Sequence, residues 1–346
     1  MIMIKMLKKM TLDELKAELN AINSSDNHTR KIEICTQILE LIPEEAKDDK
    51  FKAFNDRGFA YADLGEYQKA INDYDQAIAL DPDDAISFGN RGVAYANLGE
   101  YQKAINDCDQ AIILDPNDAI SFASRGFAYA NLGEYQKAIE DYDQAITLNP
   151  NNAISFGNRG LAYTNLGEYQ KAINNYDQAI ALDPDDAIFF GKRGFAYANL
   201  DEHQKAINNY DQAITLNPNN AISFGDRGVA YANLGEYQKA INDCDQAITL
   251  NPNDAISFAS RGFAYVNLGE YQKAINDCDQ AITLNPNDAI SFANRGFAYR
   301  HLGKEEKAIK DFKKAQALDP SAIVNEQIKL IEEELSEEIK KTQAIN

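Results

Sequence analysis

The sequence contains no tryptophan and only three histidines, His28, His203 and His301. None of these stands at metal-ligand spacing from a cysteine, an aspartate or another histidine, so no structural zinc and no other metal is expected. No Gly-x-Ser-x-Gly elbow and no phosphate loop occurs, and no catalytic residue or cofactor is assigned. Asp81-Pro82-Asp83-Asp84 has the carboxylates of a calcium loop but not its glycine or closing glutamate, and reads as a turn. No apolar run reaches the roughly 18 residues that a spanning helix requires. The stretch from Met1 to Met10 mixes Lys5, Lys8 and Lys9 with Ile and Met, and it lacks the apolar core and cleavage site of a secretory leader. Positive charge is also short. The 34 Lys and Arg face 54 Asp and Glu, a formal net charge of −20. Nucleic acid and anionic membrane both call for a basic face, so neither is an expected partner. Acids recur throughout, as in Asp73, Asp75, Asp81, Asp83 and Asp84. They read as a solvated rim, with selective binding of basic partners as the alternative.

What is present is repetition. The tetrapeptide Arg-Gly-Phe-Ala at Arg57 returns nearly unchanged, and its arginine recurs at Arg91, Arg125, Arg159, Arg193, Arg227, Arg261 and Arg295. Eight units with one fixed period fill residues 51–320. A period of this length means stacked units, each burying its apolar face only against its neighbours. Residues 1–50 read as a degenerate further hairpin and 321–346 as a capping helix with a tail. The four cysteines follow the period as well. Cys108, Cys244 and Cys278 share a column with Tyr74, Tyr142, Tyr176 and Tyr210, and Cys35 falls at the matching place of the degenerate unit. Stacked helices hold equivalent residues about 8–10 Å apart, too far for a disulfide. Free buried thiols and a reducing compartment, the cytoplasm, are therefore expected, and export without a cleaved leader is compatible with them.

One unit shows the local logic. Ala85, Phe88, Gly92 and Tyr95 lie on one face of a helix that ends at Leu98-Gly99. A second helix carries Tyr101, Ala104, Ile105, Cys108, Ala111 and Ile112 on one face and stops at Leu114-Asp115-Pro116. The Gly92, Ala104 and Ala111 columns are invariant across the eight units. Gly inside a helix costs about 1 kcal/mol against Ala, so its repetition implies a packing gap filled by the partner helix. Phe88, Gly92, Tyr95, Ala104, Ala111 and Pro116 in this order resemble the tetratricopeptide repeat. An arginine replaces the large aliphatic residue that usually precedes the first glycine. The resemblance implies an all-α, right-handed superhelical solenoid of antiparallel helix pairs.

Some units depart from the pattern. In the fifth, Asp201 replaces the turn glycine and His203 the following tyrosine, which marks that hairpin as the softest joint. In the eighth, Glu305, Lys313, Lys314 and Gln316 make the outer face polar. Thr11-Leu12-Asp13-Glu14 is a capping box that opens a helix through Leu12, Leu15, Leu19 and Ile22, and a second helix near Arg30–Leu41 ends at Pro43. Val324, Ile328, Ile331, Leu335 and Ile339 form the amphipathic stripe of the capping helix. A longer period is visible too. The third and seventh units share Ala-Ile-Ser-Phe-Ala-Ser-Arg-Gly-Phe, at Ala119 and Ala255, as if a block of four units had been duplicated.

A second stripe on the first helix, Ile86, Asn90, Val93 and Asn97, lies away from the packing face. By resemblance it lines a concave groove that holds extended peptides. The candidate groove residues are Ile86, Asn90, Asn97, Ile120, Asn131, Ile154, Asn158, Asn165, Lys192, Asn199, Asn233 and Asn267. Isoleucines would take apolar side chains, and amides would donate to and accept from a peptide backbone. The competing reading has Ile and Phe packing on neighbouring units while Asn only faces water. Some family members clamp a terminal carboxylate. Lys52 and Asn90 match two slots of that clamp, Asp56, Ile120 and Ser124 do not, and Lys192 with Asn158 is a weaker fragment. The expected role is a non-catalytic scaffold or adaptor for other proteins or peptides. A co-chaperone or secretion chaperone and a weakly self-associating array are the alternatives. The recurring arginine is expected to brace each hairpin from within, Arg57 with Asp73, Arg91 with Asp107 and so on to Arg295 with Asp311, with the neutral Asn175 and Asn209 in units four and five.

Overall fold

A computed structural model describes residues 10–22, 27–321 and 328–330 of the protein. Among the described residues every regular element is an α-helix. The chain divides into two compact units, residues 1–168 and 169–346. The first holds α1 (Leu12–Ile22), α2 (His28–Leu41), α3 (Lys47–Asp63), α4 (Tyr67–Leu80), α5 (Ala85–Asn97), α6 (Tyr101–Leu114), α7 (Ala119–Asn131), α8 (Tyr135–Leu148) and α9 (Ala153–Asn165). The second holds α10 (Tyr169–Leu182), α11 (Ala187–Ala198), α12 (His203–Leu216), α13 (Ala221–Asn233), α14 (Tyr237–Leu250), α15 (Ala255–Asn267), α16 (Tyr271–Leu284), α17 (Ala289–His301) and α18 (Glu305–Leu318). Within each unit a helix packs on its sequence neighbour to make a hairpin, and each hairpin packs on the next.

The helix boundaries follow local chemistry. Thr11 and Glu14 form the reciprocal capping box: Thr11 N donates to Glu14 Oε2 at 2.8 Å and Glu14 N to Thr11 Oγ1 at 3.3 Å. From the second repeat onward the first helix starts at a side-chain cap, as where Ser87 N donates to Asp84 Oδ2 at 2.7 Å, whereas α3 follows Ala46 without one. It ends in a Schellman turn: Gly99 has φ +78°, Gly99 N donates to Ala96 O at 3.1 Å, and Glu100 N donates to Tyr95 O at 2.9 Å. Asp201 adopts the same left-handed conformation, φ +59°, with a Cβ.

The core within a hairpin is a close approach of small against large. A Cβ added to Gly92 would stand 2.8 Å from Cys108 Sγ, and one on Gly194 would stand 2.8 Å from Tyr210 Cε1. The glycine column therefore makes room for the tyrosine-or-cysteine column. Cys108, Cys244 and Cys278 are fully buried and unpaired, and burial pushes the Cys108 and Cys244 thiols up to about 12. They fill core space where other units bury Tyr74, Tyr142, Tyr176 and Tyr210. Of the stripe expected beyond residue 320, Val324, Ile331, Leu335 and Ile339 lie outside the described residues. Ile328 is buried against Ala308 and Phe312.

The arginine brace is present and wider than the sequence suggested. Arg91 Nε and Nη2 donate to both oxygens of Asp107 at 2.6 and 2.8 Å, a bidentate pair across the hairpin. Arg91 Nη1 also donates to Asp75 Oδ1 at 2.6 Å, on the second helix of the preceding hairpin. Arg125 repeats this with Asp141 and Asp109, Arg227 with Asp243 and Asp211, Arg261 with Asp277 and Asp245, and Arg295 with Asp311 and Asp279. Arg57, in the first full unit, donates to Thr36 Oγ1 instead of a preceding acid. The Arg91 guanidinium carbon stands 5.5 Å from the Phe88 ring centroid, so phenylalanine covers the charge from the side. Asp141 is 7% exposed at its side chain. In unit five the pair weakens as expected: Arg193 Nε makes a single 2.7 Å bond to Asn209 Oδ1.

Two outcomes follow. Arg125→Leu leaves Asp141 buried without its partner. Hydrogen-exchange protection of the α7 and α8 amides should then fall by about 3–5 kcal/mol, and Arg125→Leu with Asp141→Leu should recover most of it. Asp201→Gly relieves the left-handed strain and should raise protection of α11 and α12 by about 1 kcal/mol, with the other hairpins unchanged.

Candidate functional site

The stripe of interest begins at the first turn of each first helix. Asp118 Oδ1 accepts from Ile120 N at 2.9 Å, and Asp118 also accepts from the hydroxyl of the buried Ser121 at 2.5 Å. The cap fixes the turn, and the neighbouring Ile120 is left 64% exposed. Asp254 repeats this geometry, accepting from Ile256 N at 3.1 Å and from Ser257 Oγ at 2.5 Å. Along the first unit Ile86 and Ile154 are exposed like Ile120, and along the second so are Ile188, Ile222, Ile256 and Ile290. These side chains are not packed into neighbouring hairpins. In the next column Phe59, Phe127, Leu161 and Phe195 are about two-fifths exposed, and Val93, Val229, Phe263 and Phe297 are half-buried.

The asparagines do something the sequence did not announce. Asn97 Nδ2 donates to Val93 O at 2.9 Å, one turn back on its own helix. Asn131, Asn165, Asn199 and Asn267 make the same bond to Phe127, Leu161, Phe195 and Phe263. One amide hydrogen thus serves the helix end, which leaves an amide one donor and its acceptor. At Asn131 that acceptor also takes the Tyr101 hydroxyl at 3.2 Å. Asn97, Asn131, Asn165, Asn199, Asn233 and Asn267 are all exposed, Asn90 and Asn158 are half-buried, and Lys192 is exposed.

Two hollows gather parts of this set. In the first unit, Asn131, Asn158 and Asn165 come together with Phe127, Leu161 and Tyr135 around a space of about 320 Å³. In the second, Asn233 and Ile256 come together with Val229, Ser260, Phe263 and Ile290 around about 280 Å³. Phe127, Leu161, Val229 and Phe263 belong to the Val93 column of the expected stripe, whereas the lining Tyr135 was not among the sequence candidates. Near the amino-terminal end, Lys52 Nζ donates to Asn20 Oδ1 at 3.1 Å. Asp56 lies beside it with Oδ2 buried and, among the described residues, without a hydrogen bond. Burial raises the Asp56 carboxyl above its ordinary value, against the pull of Lys52 and Lys31.

Asp226 is the second feature the sequence reading passed over. It stands on α13 at the position that Asn90 occupies on α5. Burial first, then the Asp254 carboxylate, push its carboxyl up to about 6, while Lys192 pulls it down. A carboxyl that binds its proton more tightly folded than unfolded gives the fold stability as pH falls from about 6 towards about 4, and the charged form weighs against the fold above that window. Asp226→Asn should therefore raise protection of α13 by about 1 kcal/mol at neutral pH, a figure reduced for partial exposure, and change it little at pH near 4.

Among the described residues no group of His, Cys, Asp and Glu gathers closely enough to hold a metal ion, and no helix is long and apolar enough to cross a membrane. A comparison with curated protein sequences gives no match. Family profiles do match. The profile described as TPR repeat covers residues 58–99, 160–201 and 199–235. Two described as tetratricopeptide repeat cover 85–118, 119–152, 221–254, 255–288 and 289–322, and 141–174. Among solved structures, the APC/C hetero-tetramer Cut9–Hcn1 is similar with a TM-score of 0.60 at 19% identity, over 93% of this chain and 67% of that one. A tetratricopeptide repeat protein from Parabacteroides merdae gives 0.56 at 22%, over 71% and 98%. PilF of Pseudomonas aeruginosa gives 0.55 at 19%, over 62% and 97%. With matches running unbroken from 58 to 322 and helix hairpins throughout, the chain belongs to the tetratricopeptide repeat family.

Proposed function

We propose that the protein is a non-catalytic scaffold that holds extended segments of partner proteins along the face of its first helices. The observation that carries this is the isoleucine column. Seven helices present an isoleucine that is about two-thirds exposed, from Ile86 at 67% to Ile290 at 65%. Apolar side chains left in water at a fixed register form a surface that gains from being covered. Beside them stand asparagines with a donor and an acceptor still to offer, which suits the backbone of an extended chain. Repetition argues against catalysis: a reaction centre needs distinct groups at one place, whereas here each group recurs. A family of interaction repeats fits the same role.

The chaperone and self-association alternatives use the same stripe, and size measured across concentration separates the latter, since an array that joins itself grows with concentration. For the scaffold, a displayed library of peptides of about ten residues can be selected on the full chain. The double substitution Ile154→Lys with Ile222→Lys should weaken the selected peptides by about tenfold or more, with melting unchanged, since both residues are exposed. Undiminished binding to that variant would refute the groove.

A further inference from the structure

The hollow on α7, α8 and α9 lies wholly within the first unit. Phe127, Leu161 and Tyr135 supply apolar wall, Asn131, Asn158 and Asn165 supply amides, and no charged residue lines it. Its setting is a variation on a repeated contact. A tyrosine opens most of the second helices, and the next first helix carries the phenylalanine column and, one turn on, the asparagine column. At three junctions between hairpins that tyrosine meets a ring from the next helix. Tyr101 meets Phe127 edge-on with centroids 6.4 Å apart, Tyr237 meets Phe263 edge-on at 6.1 Å, and Tyr271 stacks on His301 at 4.6 Å. The Tyr101 hydroxyl also donates to Asn131 Oδ1 at 3.2 Å. At Tyr135 the next helix offers Leu161 and Asn165, and neither is a ring. Among the described residues the Tyr135 ring pairs with no other ring, and its hydroxyl makes no hydrogen bond.

The amides at the hollow are only partly spent. Asn131 and Asn165 each give one hydrogen to a carbonyl one turn back, Phe127 O at 2.8 Å and Leu161 O at 2.9 Å, and each keeps one. Asn158 makes no side-chain hydrogen bond among the described residues. The hollow thus joins a tyrosine edge without a ring partner to donors and acceptors without protein partners.

We propose that this hollow is a subsite for one aromatic side chain of an extended partner segment, seated against Tyr135 as Phe127 is seated against Tyr101. The proposal rests on the groove reading above and gives one position along it a side-chain class. The chain's own junctions show what fits this tyrosine column, which is a ring. An aliphatic group does not close the space, since Leu161 already stands there and the hollow remains. A charged group would lose its hydration and find no opposite charge in the lining. A ring gains the edge-on contact in addition to the burial of its area. The amides of Asn158 and Asn165 then serve the backbone of the segment beside it. The hollow in the second unit has no tyrosine in its lining, so the preference belongs to the first unit alone. With no charge in the site, affinity should change little with salt.

The chain has no tryptophan, so a tryptophan in a partner reports its own surroundings. The probes are blocked peptides of about ten residues, leucine alternating with serine, with tryptophan, phenylalanine or leucine at the central apolar position, titrated into the full chain. The tryptophan emission should move to shorter wavelength on binding, and both aromatic peptides should bind about fivefold more tightly than the all-leucine one. Leu161→Phe places in the hollow the residue that Phe127 and Phe263 already are, and should erase the aromatic preference with melting unchanged. Tyr135→Leu should erase it as well. Equal affinity of the aromatic and leucine peptides on the native chain, or an aromatic preference that survives Leu161→Phe, overturns the proposal. If library-selected peptides bind while the aromatic probes do not, this proposal falls and the groove stands. If neither binds, both fall.

Discussion

One half-buried positive charge per repeat holds the architecture in register. The guanidinium of Arg91 is gripped on one edge by Asp107 of its own hairpin and at its free end by Asp75 of the hairpin before. A single side chain therefore fixes both the spacing within a hairpin and the stacking between hairpins. The geometry demands arginine. Lysine has no planar fork with which to take two oxygens of one carboxylate while reaching a third elsewhere. It also demands small residues nearby. Helices close enough for this bridge leave no space for a Cβ at Gly92, where Cys108 Sγ already stands. The glycine column and the arginine column, adjacent in sequence, are two expressions of one close approach.

Sequence reading recovered what the period determines. Helix ends at Gly99 and Pro116, the intra-hairpin pairs and the strained Asp201 all follow from residue chemistry repeated in place. What it missed is what depends on neighbours in space. The outer acid of the brace, Asp75 for Arg91, sits as far before the arginine as Asp107 sits after it, but only stacking explains why. The asparagine column looked like an exposed ladder for partners. Its first bond is to the carbonyl one turn back on its own helix, the back-bonding that a short polar side chain makes within a helix. Asp226 looked like one acid among many. Its distinction lies in burial beside Asp254, which no one-dimensional pattern reports.

The fifth hairpin shows how these layers combine. Its arginine meets a neutral asparagine, its turn lacks glycine, and His203 Nδ1 is buried without, among the described residues, a hydrogen-bond partner. Phe189 fills the place of the buried serine that six other repeats keep and that Ala53 replaces in the first. Each change weakens a different link: a charge pair, a turn, a polar contact and a helix start. In a linear array such losses are not shared with distant repeats, since each hairpin is stabilised only by itself and its neighbours. Local opening is thus expected here before it reaches the remainder of the chain.

Near-identical repeats pose a problem of specificity. A face that repeats the same isoleucine and asparagine offers a partner many registers of similar energy. Discrimination has to come from columns that vary, and on this face one column varies in charge from end to end: Asp56, Asn90, Ser124, Asn158, Lys192, Asp226, Ser260 and Asn294. It borders the apolar stripe, so in the proposed groove a partner's polar side chains would meet it wherever its apolar ones were seated. In the groove proposed above, the constant columns would supply affinity without address, and the variable column, whose residues lie outside the arginine brace, would supply address. The four-repeat duplication repeats part of that address, the neutral Ser124 and Ser260. Between the two blocks the column changes at Asp56 against Lys192 and at Asn90 against Asp226, so the duplicated apolar columns are bordered by different charges.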